Sequence, residues 1–600
     1  MPTRDLVVRI GGEGGEGVIS TGELLTLALA RAKQEVFTFR TYPAEIKGGP
    51  AMFQVRTSEE ELLSHGDRID IVIAFNAEAC RLHGNLVRRG GAIVYDPADH
   101  DALPDHCTTI PLPMSEIAEK QIGARIAKNM VALGAAGALV GLTDEFLRQL
   151  ITSKFARKGE EVVKKNHAAL NAGFHYIAEN YPKLIPPPVK PPADDRKRIV
   201  VSGNEAAGLG ALAAGVRVFA GYPITPASDL FEWLARELPK FGGRVVQAED
   251  EIASLGIVIG AQYTGAKAMT ATSGPGLCLM VEEMGYAGMA EIPVVIFDAQ
   301  RAGPSTGMPS KTEQGDLGMA VYAGHSDQAR IAIAPVDVED CFQVMVDAFN
   351  LAESYQCPVI VLSDQSLSMR HHTVTPFDPS KVQLRERLKP SPEELRDGEN
   401  GHHIYRRYKV TETGISPMSI PGMAGGTYAA TGLEHDEIAE PCYTPDGHRT
   451  MNEKRFRKLK LAAKEPHMWR RWGSPDAEIG IIGWGSTSGS VREAAQQAAD
   501  EGIETDILYL RMVYPFPDGI VEEFAKGKRV LIVPEMNFSG QLATLLSGKY
   551  GIWPIRVNKA EGLPFSPSEI LKVLQEVHHG RLQPERLPRA HEADLVPGMR

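Results

Sequence analysis

The chain has 600 residues, of which 43% are hydrophobic and 23% are charged, and a formal net charge of −12 at pH 7. This length is too great for a single core, so we expect about three or four domains, and the negative charge argues against a nucleic-acid partner. The N-terminus is too short and too polar for a signal peptide, and no run of about 18 uncharged apolar residues occurs, so we expect a cytoplasmic protein without a membrane span.

The first predicted unit is an α/β domain over residues 1–183. It opens with a strand, a glycine-rich turn and a helix, and short apolar strands follow at Asp70–Asn76 and Gly91–Asp96. Because strands alternate with helices, we expect a mainly parallel sheet. Residues 184–197 are rich in proline and charge, which predicts a stiff, extended linker.

The strand and helix pattern restarts after the linker and predicts a second α/β domain over residues 198–375. Periodicity weakens and charge rises over residues 376–475, so a connector with little sheet is expected there. The pattern returns over residues 476–575, which we predict as a third α/β domain. Residues 576–600, rich in His, Arg and Pro, are predicted to be a surface tail.

A glycine-rich turn follows the first predicted strand. Its glycines can let backbone N–H groups approach a phosphate at a helix N-terminus, but Glu13 and Glu16 inside the turn would repel phosphate. A tight turn for close packing is the alternative interpretation. A second loop carries Lys47, which could add positive charge. The turn glycines are Gly12, Gly14, Gly15 and Gly17.

Two prolines stiffen the segment Tyr222–Pro226, which precedes a strongly periodic helix. Pro226 disfavours the helical region for Thr225, so Thr225 is expected to be the N-cap with Pro226 at the first helical position. A well-capped helix is one sufficient explanation of this pattern. Alternatively, Thr225 lies at the carboxyl end of a strand, where open α/β sheets bind ligands, and its hydroxyl could donate to an anionic substrate.

Three consecutive acids, Glu249, Asp250 and Glu251, precede the apolar segment Ile252–Ala261. A helix that is apolar on all sides is expected to be buried. Acids in the first turn suit the helix dipole, which is one sufficient explanation. The alternative is that Glu251, which borders the apolar segment, is desolvated and acts as a proton-sharing carboxyl group.

Arg301 follows a predicted strand and opens a loop rich in Gly, Pro, Ser and Thr. An arginine side chain is well shaped to clamp a carboxylate. A single loop arginine is usually only solvated, but this loop has the composition of a ligand-binding segment.

These motifs, in this order, resemble the α subunit of 2-oxoacid:ferredoxin oxidoreductases. The segments that carry the resemblance are GYPITP, the Glu251 helix, TSGPG and QRAGPSTGMPSKTEQGDL. The N-terminal domain resembles that family's γ subunit, here fused ahead of α, and the 2-oxoglutarate branch is the most similar. The resemblance implies a pyrimidine-binding domain of a thiamine diphosphate enzyme at 198–375 and a transketolase C-terminal-like domain at 476–575.

The resemblance also implies the chemistry: oxidative decarboxylation of a 2-oxo acid to an acyl-coenzyme A with electron transfer to ferredoxin, or the reverse reductive carboxylation. Glu251 would hydrogen-bond the aminopyrimidine ring of thiamine diphosphate, beside Ser273, Gly274 and Gly276. Thr225 and Arg301 would hold the substrate carboxylate, with the rest of the substrate contacts from Tyr222, Pro223, Ile224 and Pro226. The glycine turn and Lys47 would contact coenzyme A, and the N-terminal domain would be its platform or a lid that swings on the linker.

The sequence lacks the GDG and paired-Asn segment with which the family binds magnesium, and its six cysteines fit no iron–sulfur cluster and favour reduced thiols. We therefore expect a β subunit to supply the Mg²⁺ and diphosphate site and a [4Fe-4S] cluster, in an (αβ)₂ heterotetramer. Three alternatives stay open: a pyruvate or branched-chain 2-oxo acid enzyme, a non-catalytic binding subunit with the same folds, and a complete thiamine-dependent transferase.

Overall fold

The strand–turn–helix pattern of the sequence builds three sheets in a computed structural model that describes residues 5–43, 48–189, 196–395 and 405–583. Lys47 and residues 584–600 of the predicted tail lie outside these ranges.

Within the described ranges the strands are β1 (Asp5–Glu13), β2 (Glu35–Thr41), β3 (Pro50–Ser58), β4 (Ile69–Ala74), β5 (Val87–Tyr95), β6 (Thr108–Pro111), β7 (Ile199–Ser202), β8 (Val218–Gly221), β9 (Arg244–Gln247), β10 (Ala268–Thr272), β11 (Val294–Gln300), β12 (Ile331–Ile333), β13 (Pro358–Asp364), β14 (His371–Val374), β15 (Trp469–Gly473), β16 (Ile479–Trp484), β17 (Thr505–Leu510), β18 (Met512–Tyr514), β19 (Val530–Glu535) and β20 (Ile555–Asn558).

The α-helices of the same ranges are α1 (Val18–Arg31), α2 (Ala77–His83), α3 (Met114–Glu116), α4 (Lys128–Leu139), α5 (Asp144–Phe155), α6 (Glu160–Asn180), α7 (Gly203–Ala213), α8 (Ser228–Glu237), α9 (Glu251–Tyr263), α10 (Gly274–Leu279), α11 (Val281–Met289), α12 (Leu317–Tyr322), α13 (Val338–Tyr355), α14 (Gln365–Met369), α15 (Pro445–Ala462), α16 (Ser488–Asp500), α17 (Ile520–Ala525), α18 (Gln541–Tyr550) and α19 (Pro567–His578).

The first sheet has eight strands in the order β6-β5-β4-β1-β3-β2-β14-β7. Its β6-β5-β4-β1 half is parallel, but β3, β2, β14 and β7 are each antiparallel to their neighbours. The expected mainly parallel sheet is therefore wrong for this half. The reason is that β2 and β3 follow each other without an intervening helix, and such directly connected neighbours pair antiparallel.

The second sheet has the order β18-β12-β13-β11-β10-β8-β9 and is parallel except for β18 at its edge. The third sheet, β15-β17-β16-β19-β20, is parallel except for β15. Buried apolar side chains fill the space between each sheet and its helices. The predicted multidomain α/β class is confirmed.

Strand pairing crosses the domain boundaries that the sequence predicts. Strands β7 and β14, from the two ends of the predicted second domain, complete the first sheet, and β18 from the third domain completes the second sheet. The predicted connector holds the helix α15 and the strand β15. The helix is anchored inside the protein because Lys454 and Lys458 both contact the buried carboxylate of Glu291, at 2.5 and 3.0 Å. No helix in the described ranges is long and apolar enough to cross a membrane.

Candidate active site

Three turns meet at the carboxyl end of the second sheet. They follow β8, β10 and β11, which are neighbours in that sheet, and they contain the segments Tyr222–Pro226, Ser273–Gly276 and Arg301–Gly307. Parallel strands bring their carboxyl ends to one edge, which is where open α/β sheets bind ligands. The structure thus places the sequence-predicted residues of the second domain at one edge.

Glu251 is the first residue of α9 and is only 5% exposed, whereas Glu249 is exposed. Asp250 is the N-cap, and its side chain accepts a 2.7 Å hydrogen bond from the backbone N–H of Ala253. The three acids therefore lie in different environments: Glu251 is buried, Asp250 caps α9 and Glu249 is exposed. No hydrogen bond joins the Glu251 carboxylate to the described part of the chain, which leaves it available to a ligand.

The turn Ser273–Gly276, which is the N-cap and first turn of α10, lies between two carboxyl groups. A Cβ at Gly276 would lie 2.5 Å from Oε1 of Glu251, and a Cβ at Gly274 would lie 2.8 Å from Oδ2 of Asp316. Neither position could therefore take a larger residue without displacing an acid. The hydroxyl of Ser273 is buried and has no partner within the described residues.

The Tyr222–Pro226 turn is stiff but does not cap α8. The helix begins at Ser228 with Ala227 as its N-cap, so the prediction of Thr225 as N-cap and Pro226 as first helical residue is wrong. The reason is that the carbonyls of these two residues have long-range donors instead of helical ones. Nη1 of Arg301 donates to the Thr225 carbonyl at 2.9 Å, and Nδ2 of Asn204 donates to the Pro226 carbonyl at 3.1 Å.

Arg301 follows β11 directly and lies against the Thr225 turn. It is 9% exposed, and its Nε is buried without a partner among the described residues. Burial lowers the pKa of the guanidinium group, and the nearby Asp316 carboxylate opposes that shift. The site therefore combines a buried cation, which has an unused donor, with the backbone of a rigid turn.

Residues that the sequence did not indicate hold the segment after the Arg301 loop. Nε2 of Gln314 donates to the Trp484 carbonyl at 3.1 Å, and Nε2 of Gln541 donates to the Gly315 carbonyl at 2.7 Å. Nδ2 of Asn537 donates to the Gln314 carbonyl at 3.0 Å. The third domain thus fixes this segment, and the sequence signal for it was the segment QRAGPSTGMPSKTEQGDL, which contains Gln314 and Gly315.

Family comparisons match most of the chain. The thiamine-diphosphate-binding model of pyruvate flavodoxin/ferredoxin oxidoreductases matches residues 209–454. The pyruvate ferredoxin/flavodoxin oxidoreductase model matches residues 7–176, and the model of core domain II of pyruvate:ferredoxin oxidoreductase matches residues 477–549.

Individual proteins are similar over nearly the full length. The α subunit of 2-oxoacid:ferredoxin oxidoreductase 2 from Aeropyrum pernix is 32% identical over 96% of this chain and 98% of its own length. The 2-oxoglutarate oxidoreductase subunit KorA of Mycobacterium tuberculosis is 33% identical over 96% of this chain and 92% of its own length.

The chain belongs to the 2-oxoacid:ferredoxin oxidoreductase family.

A solved structure supports the same family. The 2-oxoglutarate:ferredoxin oxidoreductase from Magnetococcus marinus, solved with 2-oxoglutarate, coenzyme A and succinyl-CoA bound, superposes with a TM-score of 0.89 and is 42% identical. The match covers 96% of this chain and 99% of that one. The predicted family resemblance and the oxidoreductase class are confirmed, and the α-type organisation of the relatives marks this chain as one subunit of a larger enzyme.

The glycine turn of this oxidoreductase chain is built for close packing. Oε2 of Glu16 accepts from the backbone N–H of Glu13 at 2.8 Å, and the N–H of Gly14 donates to the Gly49 carbonyl at 3.0 Å. A Cβ at Gly14 would lie 2.8 Å from the carbonyl oxygen of Gly48. Two of the N–H groups that could have met a phosphate are thus occupied within the protein, and the contact with coenzyme A stays a prediction for this turn.

The helix α9 is not buried on all sides, so that expectation is wrong. Ile252 is 44% exposed, and Ala253, Gly256 and Gly260 are exposed on the same helix. The sequence pattern could not distinguish burial inside the chain from an apolar face left open at its surface. An exposed apolar face of this kind is a candidate interaction surface.

A cavity of about 510 Å³ lies where the first sheet, the segment after Arg301 and the third domain meet. Its basic residues include Arg9, Lys311 and Lys559. Lys559 pairs with Glu569 at 2.7 Å, but no salt bridge to Arg9 or Lys311 forms within the described ranges. Burial lowers the pKa of Arg9 to about 10 and also lowers the pKa of Lys311. The cavity thus has two cations without acidic partners.

Proposed function

We propose that this chain is the α subunit of a 2-oxoglutarate:ferredoxin oxidoreductase that interconverts 2-oxoglutarate and succinyl-coenzyme A in the cytoplasm, with ferredoxin as electron partner. The observation that carries the proposal is the meeting of Glu251, the Ser273–Gly276 turn, Thr225 and Arg301 at one sheet edge. The full-length similarity to the Magnetococcus marinus enzyme supports 2-oxoglutarate as substrate.

The residues present fit the aminopyrimidine half of thiamine diphosphate. The residue Glu251 is buried and its carboxylate has no hydrogen bond in the described part of the chain. The Ser273 hydroxyl, in the turn whose Gly276 lies against Glu251, is also buried without a partner there. When bound, thiamine diphosphate supplies the electron sink for decarboxylation. Glu251 holds a proton at the ring nitrogen of the aminopyrimidine, and the glycines at 274 and 276 let the turn approach the acids closely.

Arg301 and Thr225 hold the substrate in this proposal. A guanidinium group bonds a carboxylate through charge-assisted hydrogen bonds, and the bond from Arg301 to the Thr225 carbonyl fixes the cation before substrate arrives. The rigid turn limits the entropy that is lost on binding.

We infer that coenzyme A phosphates bind in the cavity of Arg9 and Lys311, because half-buried cations without acidic partners in the described ranges fit a polyanion. The cavity adjoins the glycine-turn cavity of about 430 Å³, with which it shares Ala51. Contacts of the N-terminal domain support a fixed platform rather than a swinging lid. Nη1 of Arg56 bonds Glu493 at 2.9 Å, and the backbone N–H of Ser568 donates to Asp67 at 2.8 Å.

Arg9→Gln and Lys311→Gln are each expected to raise the KM for coenzyme A about tenfold, because a hydrogen bond to a charged group contributes about 1.5–3 kcal/mol. Decarboxylation measured by carbon dioxide release without coenzyme A should stay at the wild-type rate. Arg244→Gln, at an exposed arginine of β9, is the matched control. An unchanged coenzyme A dependence in both variants would place the phosphates elsewhere, and Lys47→Glu then tests the glycine turn.

We propose that the exposed face of α9 binds the β subunit, which supplies the diphosphate and Mg²⁺ site and a [4Fe-4S] cluster in an (αβ)₂ assembly. The support is the naming of the full-length relatives as α subunits and the apolar character of a face that begins beside Glu251. Binding of the β subunit to this face would complete the thiamine diphosphate site next to Glu251.

Gly260→Lys is expected to abolish co-purification of the β subunit, since it places a charge on the apolar α9 face. A Cβ at Gly260 meets nothing within 4 Å, so the isolated chain should keep its fold. Gly548→Lys, at an exposed helical glycine of α18 that is equally open, is the matched control. Circular dichroism checks folding, and wild-type yields of the β subunit with Gly260→Lys would exclude this face.

The proposed function is tested by purifying the chain with its native partner and measuring coenzyme-A-dependent reduction of a viologen dye with a series of 2-oxo acids. We expect 2-oxoglutarate to give the highest kcat/KM. A preference for pyruvate or a branched-chain 2-oxo acid would place the chain in another branch of the family. No turnover with any of them would favour a non-catalytic binding subunit.

A further inference from the structure

A buried carboxyl group lies behind the candidate site and has no assigned role. Asp298 is on β11 and is fully buried, and neither of its carboxyl oxygens meets an N–H or hydroxyl donor among the described residues. An isolated buried carboxylate would be strongly destabilising. The group must therefore be neutral or share a proton with a neighbour.

The neighbour is Asp316, whose Oδ2 is likewise buried without a donor among the described residues, and the electrostatics of the two acids include a side-chain hydrogen bond between them. Two carboxyl groups can form such a bond only if one of them carries a proton, since an ionised carboxylate has no donor. Burial, reinforced by Asp316, raises the pKa of Asp298 well above its usual range, and burial raises the pKa of Asp316 to about 6. Both shifts agree with a pair that holds one proton at neutral pH.

The surroundings of the pair connect it to the site. The Asp316 oxygens would contact a Cβ at Gly274, at 2.8 and 2.9 Å, so this acid packs directly on the Ser273–Gly276 turn. Oε1 of Gln300 accepts from the backbone N–H of Asp316 at 3.0 Å. The charged or titratable groups that face the pair are the Arg301 guanidinium, the Glu313 carboxyl and the Cys278 thiol.

We propose that Asp298 donates its proton in a hydrogen bond to Asp316, and that the pair, with a single negative charge, positions the Gly274 turn and balances Arg301. Asp298 and Asp316 are positioning residues: they act through the turn and through the arginine. This inference rests on the proposed function for its effect on catalysis, but the shared proton does not depend on it.

The proton is tested by infrared spectroscopy of the full chain in its native complex at neutral pH. The difference spectrum of wild type minus Asp298→Asn should contain the C=O stretching band of a protonated carboxylic acid, which shifts in D₂O. The corresponding difference for Glu249→Gln, at an exposed acid, should lack this band. A spectrum for Asp298→Asn without an acid band overturns the proposal, whether or not the complex is active.

The positioning role is tested by two variants at the same residue. Asp298→Asn keeps a donor toward Asp316 and should retain kcat/KM for the 2-oxo acid within about threefold. Asp298→Ala leaves Asp316 without that donor and should lower kcat/KM about 10- to 100-fold, the range for loss of a hydrogen bond to a charged group. Equal losses of kcat/KM in the two variants overturn the positioning role. If Asp298→Ala does not fold, Asp298→Asn decides alone, and a kcat/KM below that threefold limit overturns the role.

Discussion

Replacement of Glu251 by glutamine is expected to lower turnover by about 10²–10⁴-fold, the range of general acid–base contributions. Glu251 is the buried acid of the three before α9, and it has no hydrogen bond within the described part of the chain. Glutamine fills the same space but cannot exchange a proton with the aminopyrimidine ring. The measurement is exchange of the C2 proton of thiamine diphosphate into deuterated solvent, followed by quenched NMR in the assembled complex.

Two neighbouring substitutions are the controls for Glu251. Glu249→Gln changes an exposed acid, and Asp250→Asn keeps a side chain that can cap α9. Both should exchange the C2 proton at close to the wild-type rate. Wild-type exchange in Glu251→Gln together with slow exchange in Glu249→Gln would show that the proton-transferring acid is Glu249.

Arg301→Ala is expected to cost about 2–5 kcal/mol in kcat/KM for the 2-oxo acid, the range for loss of one partner of a buried charge pair. The effect should be large because the guanidinium is nearly buried and has an unused Nε. The bound thiamine diphosphate, measured after denaturation of the purified complex, should stay at the wild-type level, since Arg301 contacts the Thr225 turn rather than Glu251.

Arg301→Lys and Thr225→Ala complete this test. Lysine keeps the charge but not the planar pair of donors, so it should recover part of the loss. Thr225→Ala removes one neutral donor and should cost less than Arg301→Ala. A wild-type kcat/KM in Arg301→Ala would show that the arginine is only a solvated loop residue.

The sequence predicted elements well where local pattern decides structure. The short apolar runs Asp70–Asn76 and Gly91–Asp96 became β4 and the second half of β5, within a few residues of the predicted bounds. The choice of Glu251 among three acids also depended on a local feature, the apolar segment that follows it, and the structure buries this residue. That it binds thiamine diphosphate stays a prediction.

What the sequence could not predict depends on contacts between distant segments. Thr225 had the neighbours of an N-cap, but Arg301 and Asn204 take the carbonyls of the turn. Asp298 stands in an apolar strand and Asp316 in a loop, and only the fold brings their carboxyl groups together. The exposed face of α9 was not predicted, because the sequence pattern shows which residues are apolar but not whether another part of the protein covers them.

The strand β14 determines how the N-terminal unit is attached to the rest of the chain. Its backbone pairs with β7 and with β2. In addition, the backbone N–H of His371 donates to the Thr38 hydroxyl, and the Thr373 hydroxyl accepts from the backbone N–H of Val36, each at 2.8 Å. The N-terminal unit is therefore retained by a sheet and not only by the peptide connection at 184–197. If the chain were divided at that connection, the sheet would still hold the two polypeptides together. The same architecture can therefore be encoded as one chain or as two.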